Sequence, residues 1–101
     1  MGSIARQQIL DMVRQVVLAE IGDEPVKVYL FGSWARGEEH ISSDIDIAVD
    51  SVGGVHVENL TRLREALEES TVPYRVDVVD LAEAAKVLVA KVRKEGIVWK
   101  G

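Results

Sequence analysis

Apolar residues at Ile9, Met12, Val13, Val16 and Val17 recur at helical spacing. They predict an amphipathic helix early in the chain that Gly22 brings to a stop. Past Pro25, the run Val26-Lys27-Val28-Tyr29-Leu30-Phe31 is rich in strand-forming residues. Gly32-Ser33 interrupts that strand, and Trp34-Ala35-Arg36 reads as a short helical turn. From Asp44 to Val49 polar and apolar residues alternate, as in a half-buried strand. Gly53-Gly54 marks a turn, after which Leu60, Leu63 and Leu67 define one face of a second long helix ending before Pro73. Tyr74 to Val79 reads as a third strand. Asp80 and Glu83 have the spacing of a capping box, predicting a helix directly after it with Leu81, Ala84, Leu88 and Val92 on its core face. Gly96 closes that helix, and Ile97-Val98-Trp99 forms an edge strand. Helices alternating with strands predict an α/β (α+β) sandwich but leave the strand order open.

Composition narrows the class. A chain of 101 residues with 48% hydrophobic and 29% charged residues fits a single globular domain over 1–101 with one core. Apolar runs such as Val87-Leu88-Val89-Ala90 fall far short of the ~20 residues of a membrane span, so no membrane partner is expected. Met1 leads into a polar stretch holding Arg6, Gln7, Gln8 and Asp11 rather than a signal peptide. Cysteine is absent, which excludes disulfides and thiolate metal sites and fits the expected cytoplasmic location. Acidic residues outnumber basic ones 17 to 12, for a net charge of −5. That balance lacks the basic footprint of a stable nucleic-acid binder. The local basic cluster Lys91, Arg93 and Lys94 falls near a helix end, where the helix dipole accounts for it.

The chemistry gathers in one stretch, Gly32-Ser33-Trp34-Ala35-Arg36-Gly37 followed by Ser43-Asp44-Ile45-Asp46-Ile47. A strand that ends in Gly-Ser and runs into a helix offers free backbone N–H groups and a serine hydroxyl to phosphate, and glycine allows close approach. Alone, Ser33 would be an ordinary helix cap. Asp44 and Asp46 share one face of a strand while Ile45, Ile47 and Val49 face the core. Alone, that alternation is what any half-buried strand shows. Side by side, the two halves describe a site for a metal-bound nucleoside triphosphate, since carboxylates plus substrate phosphates are how proteins hold Mg²⁺. Asp77, inside the apolar run Val76-Asp77-Val78-Val79, is the candidate third carboxylate, ahead of Asp80 and Asp50, which have turn roles. Three such groups converging on two divalent ions would clamp an in-line displacement. Arg36 suits both triphosphate contact and pairing with a carboxylate. Ser43 is expected to cap or orient Asp44, and His40 and His56 to be surface loop residues.

These residues closely resemble the nucleotidyltransferase superfamily that includes DNA polymerase β, whose signature is a Gly-Ser turn followed by Asp-x-Asp. The version here looks like the smallest branch, the minimal nucleotidyltransferases, with the match running from about Val26 to Leu81. Trp34 stands where many relatives carry Arg. The resemblance implies helices packed on one face of a small mixed sheet, with the site on the open side. It implies transfer of AMP from ATP with release of pyrophosphate, Asp44 and Asp46 binding both Mg²⁺ ions, and Asp77 completing one metal site and helping to deprotonate the acceptor. Members of this branch are similar to antitoxins paired with a HEPN-domain ribonuclease toxin, and active ones adenylylate a tyrosine on it. A chain of 101 residues has no room for the domains with which larger relatives grip their acceptors. The acceptor surface is then expected from a partner or from a second copy in a homo-oligomer. The alternatives are an antitoxin that neutralises by binding alone, and a transferase acting on RNA or a small molecule. Trp34 and Trp99 are expected on an exposed apolar surface used in complex formation.

Overall fold

Ile9, Leu10, Val13, Val17 and Ile21 form the buried stripe of α1 (Arg6–Ile21), and Gly22 ends it with a φ of 58° that a side chain would resist. The structure is a computed structural model describing residues 5–51 and 57–101, so the predicted Gly53-Gly54 turn and His56 lie outside the described residues. After α1 come β1 (Val26–Phe31), α2 (Ser33–Arg36), β2 (Ile45–Ser51), α3 (Val57–Glu69), β3 (Val76–Asp80), α4 (Lys86–Glu95) and β4 (Ile97–Lys100).

The strands form one mixed sheet in the order β3-β2-β1-β4. β1 pairs antiparallel with β2 and with β4, while β2 and β3 run parallel. Strand alternation sorts the side chains between two faces. Val28 and Leu30 of β1, with Ile45, Ile47 and Val49 of β2, pack into one cluster with the stripe of α1 and with Leu60, Leu63 and Leu67 of α3. The helical layer expected on one face of the sheet is formed by α1 and α3, and α4 departs from it. On the other face, Tyr29 and Ala48 join Leu81 and Val92, with Phe31 and Leu88 packed at the margin, so α4 lies against the side that carries Asp46.

Three local expectations change. The third strand starts at Val76 rather than Tyr74, whose ring instead stacks edge-on to Trp34 at 5.0 Å between centroids. Asp80 and Glu83 do not cap α4, which starts at Lys86 behind Ala85. Asp80 still pairs with Val49 in the sheet, and its Oδ1 accepts from the Ala82 N–H at 3.0 Å, closing a turn. The turn over residues 81–84 separates Asp80 from α4, so Asp80 does not flank the helix. Trp34 and Trp99 are buried, 2% and 9% exposed, rather than on the surface. Among the described residues, no helix is long and apolar enough to cross a membrane.

Candidate active site

Gly32 closes β1 with a φ of 77°, and its carbonyl accepts from the N–H groups of Ala35 (3.1 Å) and Arg36 (3.2 Å), which starts α2 at Ser33. A Cβ at Gly32 would collide with Oδ2 of Asp46 and lie 3.2 Å from its Cγ. The Gly-Ser turn and the Asp-x-Asp strand are therefore in contact, because Phe31 at the end of β1 pairs with Asp46 in β2. Asp44 immediately precedes β2 and Asp46 lies within it, separated by the buried Ile45.

Parallel pairing brings in the third carboxylate. Asp46 stands opposite Asp77 in the β2–β3 register, so the two belong to the same face. Burial, then the charges of Asp77 and Asp44, push the Asp46 carboxyl above its ordinary value, and Arg36 offsets part of this. Asp44 and Asp77 thus both act on Asp46. Asp77 is held by Arg75, Nε to Oδ1 at 3.2 Å. Among the described residues, no three acidic or imidazole groups close into a metal cage. This donor set fits Mg²⁺, an ion that keeps waters and substrate phosphate oxygens beside one or two carboxylates. The rejected alternatives have other tasks: Asp50 receives two hydrogen bonds from Arg93, at 2.9 and 3.0 Å.

Arg36 is exposed and pairs with Glu38 at 3.3 Å, yet its charge reaches Asp46 and it lines the same cavity as Gly32 and Ser33. Pairing with a carboxylate is one of the two tasks expected of Arg36. The Ser43 hydroxyl accepts from the His40 N–H at 2.8 Å, bracing the loop before Asp44. His40 is exposed, as expected of a loop histidine.

Trp34 has a role that its sequence position concealed. Its Nε1 donates to the Ser43 carbonyl at 3.2 Å, its own carbonyl accepts from Arg6, and the Arg6 guanidinium lies 5.9 Å from its ring centre. One buried indole thereby ties α2 to α1 and to the residue before Asp44. The one sequence signal was a large aromatic between the two motif halves. A cavity of about 280 Å³ opens beside Gly32, Ser33, Arg36 and Asp46, and α4 forms part of its wall.

Residues 16–100 match the family model of the polymerase β nucleotidyltransferase domain, and the chain belongs to that family. Within it, the chain is similar to the protein adenylyltransferase MntA of Shewanella oneidensis. The two are 40% identical over 70 residues, which cover 68% of this chain and 49% of MntA, so the chain spans about half that relative's length. A solved toxin–antitoxin structure with AMP-PNP superposes with a TM-score of 0.70 at 32% identity, covering 87% of this chain and 73% of that one. A second, from Shewanella oneidensis, holds a tri-AMPylated HEPN toxin in complex with an MNT antitoxin. It gives a TM-score of 0.60 at 27% identity, covering 96% of this chain and 73% of that one. The expected family and mixed-sheet nucleotidyltransferase fold are borne out.

Proposed function

We propose that this chain is a Mg²⁺-dependent adenylyltransferase that moves AMP from ATP to a hydroxyl, a tyrosine's, on a HEPN ribonuclease toxin and so acts as its antitoxin. One observation carries the reading: a glycine turn with no room for a side chain lies against a partly desolvated carboxylate in register with a second. A purely structural turn has no need to set a carboxylate against its glycine or to gather mutually repelling charges. The AMP on the toxin in the related complex supports the choice of nucleotide and partner.

In this reading the N–H groups of the Gly32-Ser33 turn, the Ser33 hydroxyl and Arg36 hold the triphosphate. Asp44, Asp46 and Asp77 hold two Mg²⁺ ions, which when bound neutralise charge on the attacking and leaving oxygens. The acceptor oxygen forms a bond to the α-phosphorus as the bond to the β-phosphate bridging oxygen breaks. Pyrophosphate leaves with that electron pair, and the hydroxyl proton passes to the Asp77 carboxylate. Arg75 engages Oδ1 of Asp77, and Oδ2 is the oxygen that takes the proton.

The test is intact-mass measurement of a HEPN toxin after incubation with the protein, ATP and Mg²⁺. AMP should be added and ribonuclease activity lost at substoichiometric antitoxin. Asp77→Asn should retain much of the metal binding yet slow transfer by about 10²–10⁴-fold, the usual contribution of a general base. Protection only mole for mole, without a mass change, would instead identify an antitoxin that works by binding.

A further inference from the structure

Sequence spacing assigns Lys91 to a basic cluster at a helix end, but the fold divides that cluster. Arg93 turns to Asp50. Lys91 lines the cavity beside the Gly32-Ser33 turn, together with Leu88, Val92 and Glu95 of α4. Those four positions are three and four residues apart and so share one face of α4. That face is the one turned to the candidate site.

Lys91 makes no ion pair or side-chain hydrogen bond among the described residues. The other cation of the cavity wall, Arg36, is engaged with Glu38. Asp46 and Glu95 are the acidic members of the lining, while Asp44 and Asp77 are not part of it. The cavity therefore lies on one side of Asp46, towards β1 and α4, and the candidate base Asp77 lies on the other, on the edge strand β3. In-line displacement puts the acceptor and the leaving group on opposite sides of the reacting phosphorus. An acceptor beside Asp77 leaves the β- and γ-phosphates on the α4 side.

We infer that Lys91 is a phosphate-binding residue that takes the β- and γ-phosphates from the wall opposite the Gly32-Ser33 turn. Helix α4, which carries none of the motif residues, is thereby the second jaw of the triphosphate site. Its apolar positions Leu88 and Val92 anchor the helix on Tyr29 and Ala48, and this sets the distance between the jaws. A lysine is suited to this place because its ammonium is a mobile point charge that can follow the leaving pyrophosphate. The inference rests on the nucleotidyltransferase reading above.

The experiment is calorimetry with MgATP, MgAMP and magnesium pyrophosphate on the wild type, Lys91→Gln and Lys91→Arg. Lys91 is exposed, so neither variant disturbs the core. Lys91→Gln should weaken MgATP and pyrophosphate roughly tenfold, the scale of one partly exposed charge-assisted contact, and leave MgAMP within about twofold. Lys91→Arg should recover most of the loss. In steady-state transfer the change should fall mainly on KM for ATP. Equal MgATP affinity in Lys91→Gln, or equal weakening of MgATP and MgAMP, would overturn the role of Lys91 while leaving the nucleotide site standing. Absence of MgATP binding by the wild type would remove the transferase reading, and this inference with it.

Discussion

A single methyl group added at Gly32 would strike the Asp46 carboxylate, on a backbone whose φ of 77° already disfavours it. Gly32→Ala is expected to cost about 1–3 kcal/mol of stability and to abolish Mg²⁺-dependent ATP binding. Denaturant unfolding and calorimetry check the two parts, and retention of full ATP affinity would count against the close-approach argument. Asp46 supplies a second prediction, with its sign set by its raised pKa. In the fold the ionised form is disfavoured relative to the unfolded chain. The associated stability is complete below the ordinary aspartate value of 3.8 and is lost as pH rises through the raised value. Without metal at neutral pH, Asp46→Asn should therefore raise Tm, by an amount that solvent screening keeps modest. The gain should vanish in acid, and thermal melts across pH with a chelator present would reveal a difference that stays constant if the argument is wrong.

Elements succeed or fail as predictions according to how local their causes are. The buried stripe of α1 and the alternation in β2 are properties of neighbouring residues, and both were legible. The capping box at Asp80 and Glu83 was misleading because Asp80 is claimed by the sheet through Val49, a partner distant in sequence. The real cap of α4 is Ala85, whose φ of −62° and ψ of 145° suit a capping residue but whose methyl accepts no hydrogen bond. Ala85→Asp should stabilise the protein by about 0.5–1 kcal/mol through a cap to the free N–H groups and a favourable dipole contact. Urea unfolding measures this, and an unchanged midpoint would mean that α4 is not limited by its first turn.

At the scale of the molecule, a small sheet covered by α1 and α3 on one face leaves the other face to α4 and the site. Both tryptophans are spent inside. Trp34 ties α2 to α1 and the loop before β2, and Trp99 brings β4 into the main core. Tryptophan emission should accordingly be blue-shifted and poorly quenched by acrylamide. Solvent-like emission with ready quenching would contradict this packing. Among the described residues, the large apolar side chains most open to a partner are instead Ile41 and Val87, 90% and 82% exposed.

The order of residues by itself determined the contents of the candidate site: a glycine where the backbone is closely approached, a serine beside it, and carboxylates two apart on one strand face. Each depends on periodicity within a few residues, which the chain carries before it folds. Tertiary structure decided what those residues meet. The parallel β2–β3 register puts Asp77 across from Asp46, the end of β1 presses Gly32 onto the same carboxylate, and α4 brings Lys91 to the cavity beside them. These are pairings between segments remote in sequence. Their alternatives differ in buried apolar area and ladder hydrogen bonding, which no local pattern records.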